Sequence, residues 1–218
     1  MAVLAIVLLL LAAYLLGSIP TGYLVAKGVK GIDIRQHGSG GTGATNVLRT
    51  VGKEAAIAVL LIDLLKGLLA VLLVKATWPQ VVALAPAGAL TGWTAWVTVL
   101  AGVMAIVGHS RSVWINFTGG KSAASGLGVA IGLAWPVALG AAAAFGLTLA
   151  LSRIVSLSSM VAAIAAALLM VATGQPLAYS LLGALAAFYV ILRHRSNIDR
   201  LLAGTEPRLG QQSSNHGG

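Results

Sequence analysis

Three short polar segments carry residue types that handle anions. The first, Gly38-Ser-Gly-Gly-Thr-Gly-Ala-Thr-Asn-Val-Leu-Arg49, is a glycine-rich loop running into a helix-like stretch that ends in a cation. Backbone N–H groups exposed in such a loop, together with an arginine, make an anion site. The second ends in Gly119-Gly-Lys-Ser122, ahead of an apolar run. A lysine beside a helix N-terminus has the wrong sign for the helix dipole, and an anion there reconciles the two. The third, Arg193-His-Arg-Ser-Asn-Ile-Asp-Arg200, puts His194 and Asn197 on one helical face. All three border strongly apolar segments. The chemistry they suggest is the handling of a phosphate at a membrane surface.

Each segment also has a plainer reading. Gly38, Gly40 and Gly43 fit G-x-G-x-x-G, and Gly38 with Gly43 has P-loop spacing, but Ala44-Thr45 stands where Lys-Ser/Thr is required. Both signatures need a strand and a parallel sheet around them, which no segment here can build. What survives is glycine letting backbone approach phosphate. Thr45 and Asn46 share a helical face with Arg49; otherwise the loop is a positive-inside connector. Lys121-Ser122 has Ile115 where a P-loop has its first glycine. His194 and Asp199 fit the H-x-x-x-x-D pattern of acyl-CoA-dependent acyltransferases, but a five-residue step turns a helix by about 140°, poor geometry for a dyad. Arg195 and Asp199, four apart, are expected to pair. Asp63 and Lys66 lie inside an apolar run, where charges are costly and face the interior or a pathway; mutual neutralisation is the expectation. Ser156 reads as a helix N-cap, with Ser159 one turn further in.

The elements that must hold these residues follow from composition and charge. Of 218 residues 58% are hydrophobic and 9% charged, against roughly a quarter charged in a soluble domain. This is an all-α polytopic membrane protein. Its net charge of +9 reads as cationic cytoplasmic loops and anionic-lipid attraction rather than nucleic-acid binding. Cysteine is absent, which excludes a thiol nucleophile and a disulfide framework. Cations group in the first loop (Lys27 to Lys53), the second (Arg111, Lys121), at Arg153 alone and in the tail (Arg193 to Arg208). If every group faces the cytoplasm, an even number of crossings separates each neighbouring pair. Runs 54–75 and 81–108 form one pair, and 156–173 and 176–192 another. The stretch 123–151 must also cross twice, with Trp135-Pro136 as the reversal. With run 3–25, retained rather than cleaved, this makes about seven transmembrane helices, N-terminus outside and C-terminus cytoplasmic. Lys75 is the one cation left outside. Residues 1–210 are expected to form one domain and 211–218 a flexible tail.

Quoted in order, Gly17-Ser-Ile-Pro20, Asp33-Ile-Arg35, Gly38-Ser-Gly-x-x-Gly-x-Thr-Asn-x-x-Arg49, Gly108-His109, Phe117-x-Gly-Gly-Lys121, Arg193-His-x-x-Asn-Ile198 and Gly204-Thr-Glu206 resemble the bacterial glycerol-3-phosphate acyltransferases of the PlsY type. Gly41 stands where that pattern usually has Asn, and Ser122 where it has Gly. The resemblance implies seven membrane helices and an active site at the cytoplasmic face of the bacterial inner membrane. It implies acyl transfer from acyl phosphate to the 1-hydroxyl of glycerol 3-phosphate, giving lysophosphatidic acid and inorganic phosphate, the first step of phospholipid biosynthesis. By that resemblance Ser39, Gly40, Gly43, Thr45 and Asn46 hold the acyl phosphate. Arg49, Lys121, Gly119, Gly120, Ser159 and His194 hold glycerol 3-phosphate, and His194 and Asn197 serve catalysis. An acyl phosphate is already activated, so no cofactor or metal is expected; the enzyme must neutralise two phosphates and align a hydroxyl with a carbonyl. Two other readings stand beside it: a transporter for an organic phosphate, which would place its site at the midplane between repeats, and an acyl-CoA-dependent acyltransferase.

Overall fold

The computed structural model describes residues 1–210, so the expected tail 211–218 lies outside the described residues. Long runs of Ala, Leu and Val become helices, and glycine or proline ends them. Helix α1 (Ala2–Ser18) breaks at Ile19-Pro20 and resumes as the short amphipathic α2 (Thr21–Lys30), which stops at Gly31 in the left-handed conformation, φ 68°. The first loop follows and leads into α3 (Ala44–Thr50), then the long α4 (Lys53–Ala83). Helix α5 (Thr94–Ser110) precedes the second loop, and α6 (Ala123–Ser152) follows it. Helices α7 (Val155–Ala172) and α8 (Leu177–Arg193) are joined by the Thr173-Gly-Gln-Pro176 turn, and α9 (Arg195–Leu202) leaves α8 at 60°. Among the described residues the only β-type pairing is an isolated bridge, Ser112 to Thr118, so no sheet surrounds the glycine loop.

By length and apolarity four stretches, 2–30, 53–83, 123–152 and 155–172, are able to cross a membrane, and the bent pair α8–α9 makes a fifth; α5 is apolar but shorter. Exposed Leu8 and Leu11 on α1, Leu61 and Leu65 on α4, and Leu185 and Phe188 on α8 present apolar faces outward, as lipid contact requires. Inside, Val71, Val74, Val97, Ala101 and Val137 pack α4, α5 and α6 together. Small residues let backbones touch: a Cβ on Gly67 would strike the Ser125 backbone, and one on Gly128 the Leu64 carbonyl. A second cluster, Ala26, Ile34, Val47 and Val59, seats the first loop on α2, α3 and α4.

Helix α6 is not straight. Ala134 is extended, φ −151° and ψ 87°. A straight helix of its length would separate its ends by about 45 Å. Instead Lys121 before it and Ser156 after it join one hydrogen-bonded cluster through Asn197 and Glu206. The chain therefore folds back near Ala134, beside the Trp135-Pro136 pair that marks a reversal in the sequence. Pro136 has no N–H, which leaves the Gly132 carbonyl without its helical donor. Lys75 Nζ supplies one at 2.6 Å.

Candidate active site

The glycine loop is built around one amide. Asn46 Oδ1 accepts the Ser39 N–H at 2.9 Å, and its Nδ2 donates to the His37 and Gly41 carbonyls at 2.9 Å and to Ile34 O at 3.3 Å. Asn46 is 3% exposed, so its amide is spent bracing the loop. Gly38, φ 59°, leaves no room for a Cβ beside that amide. The Gly40 N–H bonds to His37 O, so the Ser39 and Gly40 amides are used internally and the Ser39 hydroxyl remains. Asp33 anchors the loop's entry through hydrogen bonds from Arg35, which hold its carboxyl down at about 2 despite burial. Arg35 in turn stacks over Tyr23. At the loop's far end the Arg49 guanidinium has no hydrogen bond or ion pair to the protein among the described residues.

The second loop turns back onto α5. The Gly120 N–H donates to His109 O at 3.2 Å, and Arg193 Nη2 donates to Gly120 O at 3.1 Å. Ser122 occupies the left-handed region, φ 63°, a conformation that favours the glycine which the resemblance leads one to expect there. Its hydroxyl bonds to Ile106 O at 3.0 Å. Gly41, the other departure, has open surroundings apart from the Ser39 hydroxyl.

This turn aims Lys121 at the tail. Lys121 Nζ donates to Asn197 Oδ1. Asn197 Nδ2 donates to Glu206 Oε1 at 2.6 Å, the Ser156 hydroxyl to the same oxygen at 2.7 Å, and Arg200 Nε to Oε2 at 2.7 Å. Burial raises the Glu206 pKa, but these three donors outweigh it and hold the carboxyl below its ordinary value. Burial, with Arg200, Arg49 and Arg193 nearby, lowers the Lys121 pKa. His194 Nδ1 lies 2.7 Å from Val190 O. A carbonyl only accepts, so Nδ1 carries the proton and Nε2 keeps a lone pair. Burial, reinforced by Lys121, pushes the imidazole below its ordinary pKa despite that bond, so it is neutral at physiological pH.

A cavity of about 410 Å³ joins these groups. Of the sequence-derived candidates, Ser39, Gly43, Thr45, Asn46, Arg49, Gly120, Lys121, Ser159, His194 and Asn197 line it, whereas Gly40 and Gly119 do not. Ser159 returns its hydroxyl proton to Val155 O, leaving lone pairs. From this polar end the cavity runs between α6, α7 and α8 past Ala130, Phe145, Ala163, Met170 and Leu182. The expected Arg195–Asp199 pair does not form; among the described residues it is Arg200 that pairs, with Glu206, because the tail folds back over α9. Ser156 is likewise not an N-cap, the position falling to Ile154. Glu206, Ser156, Arg193, Asp63 and His109 are site neighbours that the candidate set omits. Glu206 and His109 stand in quoted motifs, the only signal available for them.

A membrane-embedded helical bundle whose cation-rimmed cavity continues into an apolar corridor has the form of an enzyme acting on phosphorylated lipid. The family model for glycerol-3-phosphate acyltransferase matches residues 7–204. The glycerol-3-phosphate acyltransferase of Crocosphaera subtropica is 53% identical over 100% of both chains, and that of Rippkaea orientalis 57% identical over 94% of this chain and 93% of its own. A crystal structure of PlsY, an integral membrane glycerol 3-phosphate acyltransferase, in its glycerol 3-phosphate form superposes with a TM-score of 0.84 at 36% identity, covering 94% of this chain and 96% of that one. Its lysophosphatidic acid form superposes with a TM-score of 0.80. The chain belongs to the glycerol-3-phosphate acyltransferase family.

Proposed function

We propose that this glycerol-3-phosphate acyltransferase takes its acyl group from an acyl phosphate and delivers it to the 1-hydroxyl of glycerol 3-phosphate, releasing lysophosphatidic acid and inorganic phosphate. The observation that carries this reading is the single cavity whose polar end collects Ser39, Arg49, Lys121 and His194 and whose other end is apolar. Such a cavity suits a phosphate head and a fatty tail together. Arg49, without a hydrogen bond or ion pair among the described residues, and Lys121 bind glycerol 3-phosphate with Gly120, Ser159 and His194. The Ser39 hydroxyl, Gly43 and Thr45 receive the acyl phosphate, while Asn46, Gly40 and Gly119 keep the two loops in shape. The acceptor hydroxyl attacks the carbonyl carbon, the new ester C–O bond forms and the carbonyl–phosphate bond breaks. Its proton goes to His194 Nε2 or to an oxygen of the departing phosphate. Asn197, bonded to both Lys121 and Glu206, fixes the lysine and keeps one amide hydrogen for substrate.

Side-chain cations and hydroxyls meet both phosphates, so the reaction is proposed to need no metal or cofactor. One domain, residues 1–210, crosses the bacterial inner membrane seven times: α1, α4, α5, the two arms of α6, α7 and α8. Its N-terminus lies outside, and the site faces the cytoplasm, where glycerol 3-phosphate is met. Purified enzyme in excess chelator should make lysophosphatidic acid from glycerol 3-phosphate and palmitoyl phosphate, with one phosphate released per product. Equal activity with palmitoyl-CoA, or loss of activity in chelator, would overturn the donor assignment.

A further inference from the structure

Beneath the Gly119-Gly120-Lys121 turn lies a charged cluster that the proposed reaction does not use. Asp63 and Lys66 on α4 and His109 on α5 are 1%, 3% and 6% exposed. Lys66 Nζ sits 2.9 Å from Asp63 Oδ1 and donates to Ile19 O, at the break between α1 and α2, at 2.9 Å. His109 Nδ1 faces the same Asp63 oxygen at 3.5 Å, beyond normal hydrogen-bond length. His109 Nδ1 is buried without a hydrogen-bond partner of its own, and both Asp63 and His109 border the cavity. The opposite edge of the imidazole fills the space that a Gly120 side chain would take: a Cβ there would strike Nε2. The His109 carbonyl also holds the Gly120 N–H.

Charges so placed are costly in a membrane, and an ion pair is weak evidence for stability, since apolar replacements are often neutral. What the pair does here is geometric. Lys66 is tied to the α1–α2 break and fixes Asp63; Asp63 faces His109; His109 forms the floor under Gly120. Lys121, the next residue, leaves that floor toward the cavity.

We infer that Asp63, Lys66 and His109 are positioning residues for the glycerol 3-phosphate end of the site, setting the Gly120–Lys121 turn at the height the phosphate needs. This rests on the placement of glycerol 3-phosphate proposed above. Their hydrogen bonds and ion pairs run to the α1–α2 break and to the Gly120 turn, so the effect is expected at the acceptor rather than along the acyl corridor. A misplacement near 1 Å costs up to about a hundredfold.

The test uses full-length enzyme in detergent. Asp63→Leu/Lys66→Met removes both charges together. His109→Asn keeps an N–H toward Asp63 but removes the ring edge under Gly120. Both should raise KM for glycerol 3-phosphate about ten- to a hundredfold, with KM for palmitoyl phosphate and melting temperature near wild type. Lys66→Arg should restore the acceptor KM, because it keeps the pair. Wild-type acceptor KM in the first two variants, equal losses for both substrates, or failure of both to fold would each overturn the inference. Failure of the wild-type enzyme itself to use glycerol 3-phosphate would instead sink the underlying reading.

Discussion

Replacing Glu206 tests whether the tail is part of the site or an anchor laid over it. Its side chain is 2% exposed and its carboxylate accepts from Asn197, Ser156 and Arg200. Glu206→Ala leaves two buried donors, on Asn197 and Ser156, without an acceptor, at about 1–3 kcal/mol each. It also removes a charge-assisted bond to Arg200 of roughly 1.5–3 kcal/mol, less in practice because Arg200 is 36% exposed. The sum, about 3–8 kcal/mol, approaches the whole net stability of an ordinary domain. Glu206→Ala should therefore yield little folded protein. Glu206→Gln keeps the shape. Its carbonyl still serves Asn197 and Ser156, while its NH2 opposes Arg200, so the loss is about 2–3 kcal/mol and the melting temperature falls by roughly 5–10 °C. Because Asn197 also fixes Lys121, KM for glycerol 3-phosphate should rise in the same variant. The assay is thermal unfolding in detergent beside steady-state kinetics. Glu206→Ala protein melting within about 2 °C of wild type would refute the hydrogen-bond accounting. The charge linkage has a definite sign: a carboxyl held below its ordinary pKa stabilises the fold above its unfolded pKa, and that contribution is lost as pH falls through the lower folded value. Glu206→Gln should flatten this acid limb.

Further outcomes follow from other contacts. The depressed Lys121 pKa means its charge is lost at lower pH than an ordinary lysine's, so the alkaline limb of kcat/KM for glycerol 3-phosphate should move upward in Lys121→Arg; an unmoved limb would detach Lys121 from phosphate binding. Arg49→Ala should raise KM for glycerol 3-phosphate at least about tenfold, a loss of about 1.4 kcal/mol or more, with melting temperature unchanged, since no hydrogen bond or ion pair among the described residues is broken. Lys75→Met should lower stability by about 1–3 kcal/mol through the orphaned Gly132 carbonyl, measured as a lower melting temperature with unchanged KM values. Single-cysteine labelling should reach positions 40, 115, 153 and 205 only from the cytoplasm, and 77 and 174 only from outside; external labelling at 153 would overturn the double crossing by α6.

Much of the site is legible in the sequence because its polar segments interrupt apolar runs, and the hydrocarbon core makes every such interruption conspicuous. The fold-back of α6 is legible for the same reason: a lone Arg153 and a Trp-Pro pair constrain it from both sides. What spacing does not disclose is where an amide or carboxylate spends its hydrogen bonds. Asn46 shares a helical face with Arg49 and reads as a ligand, yet its amide closes on carbonyls at 34, 37 and 41. Glu206 lies fifty residues from its Ser156 partner, and His109 sits on a different helix from Asp63. Contacts of that range exist only after packing.

The cations show why the positive-inside pattern alone could not assign roles. A membrane fold must satisfy every backbone carbonyl freed where a helix breaks, and this chain uses side-chain cations for the purpose. Lys66 serves Ile19 O beside Pro20, Lys75 serves Gly132 O before Pro136, Lys30 serves Thr50 O at the end of α3, and Arg193 serves Gly120 O in the second loop. Each is consumed by the break it repairs. Arg49 borders the cavity with no such carbonyl among the described residues, and Lys121 leans on the oxygen of an amide whose nitrogen is tied to Glu206. An anion entering the polar end therefore meets charge that the fold has not spent. The breaks that open a pocket in the bundle also sort its cations, leaving for substrate those whose backbone neighbours are already satisfied.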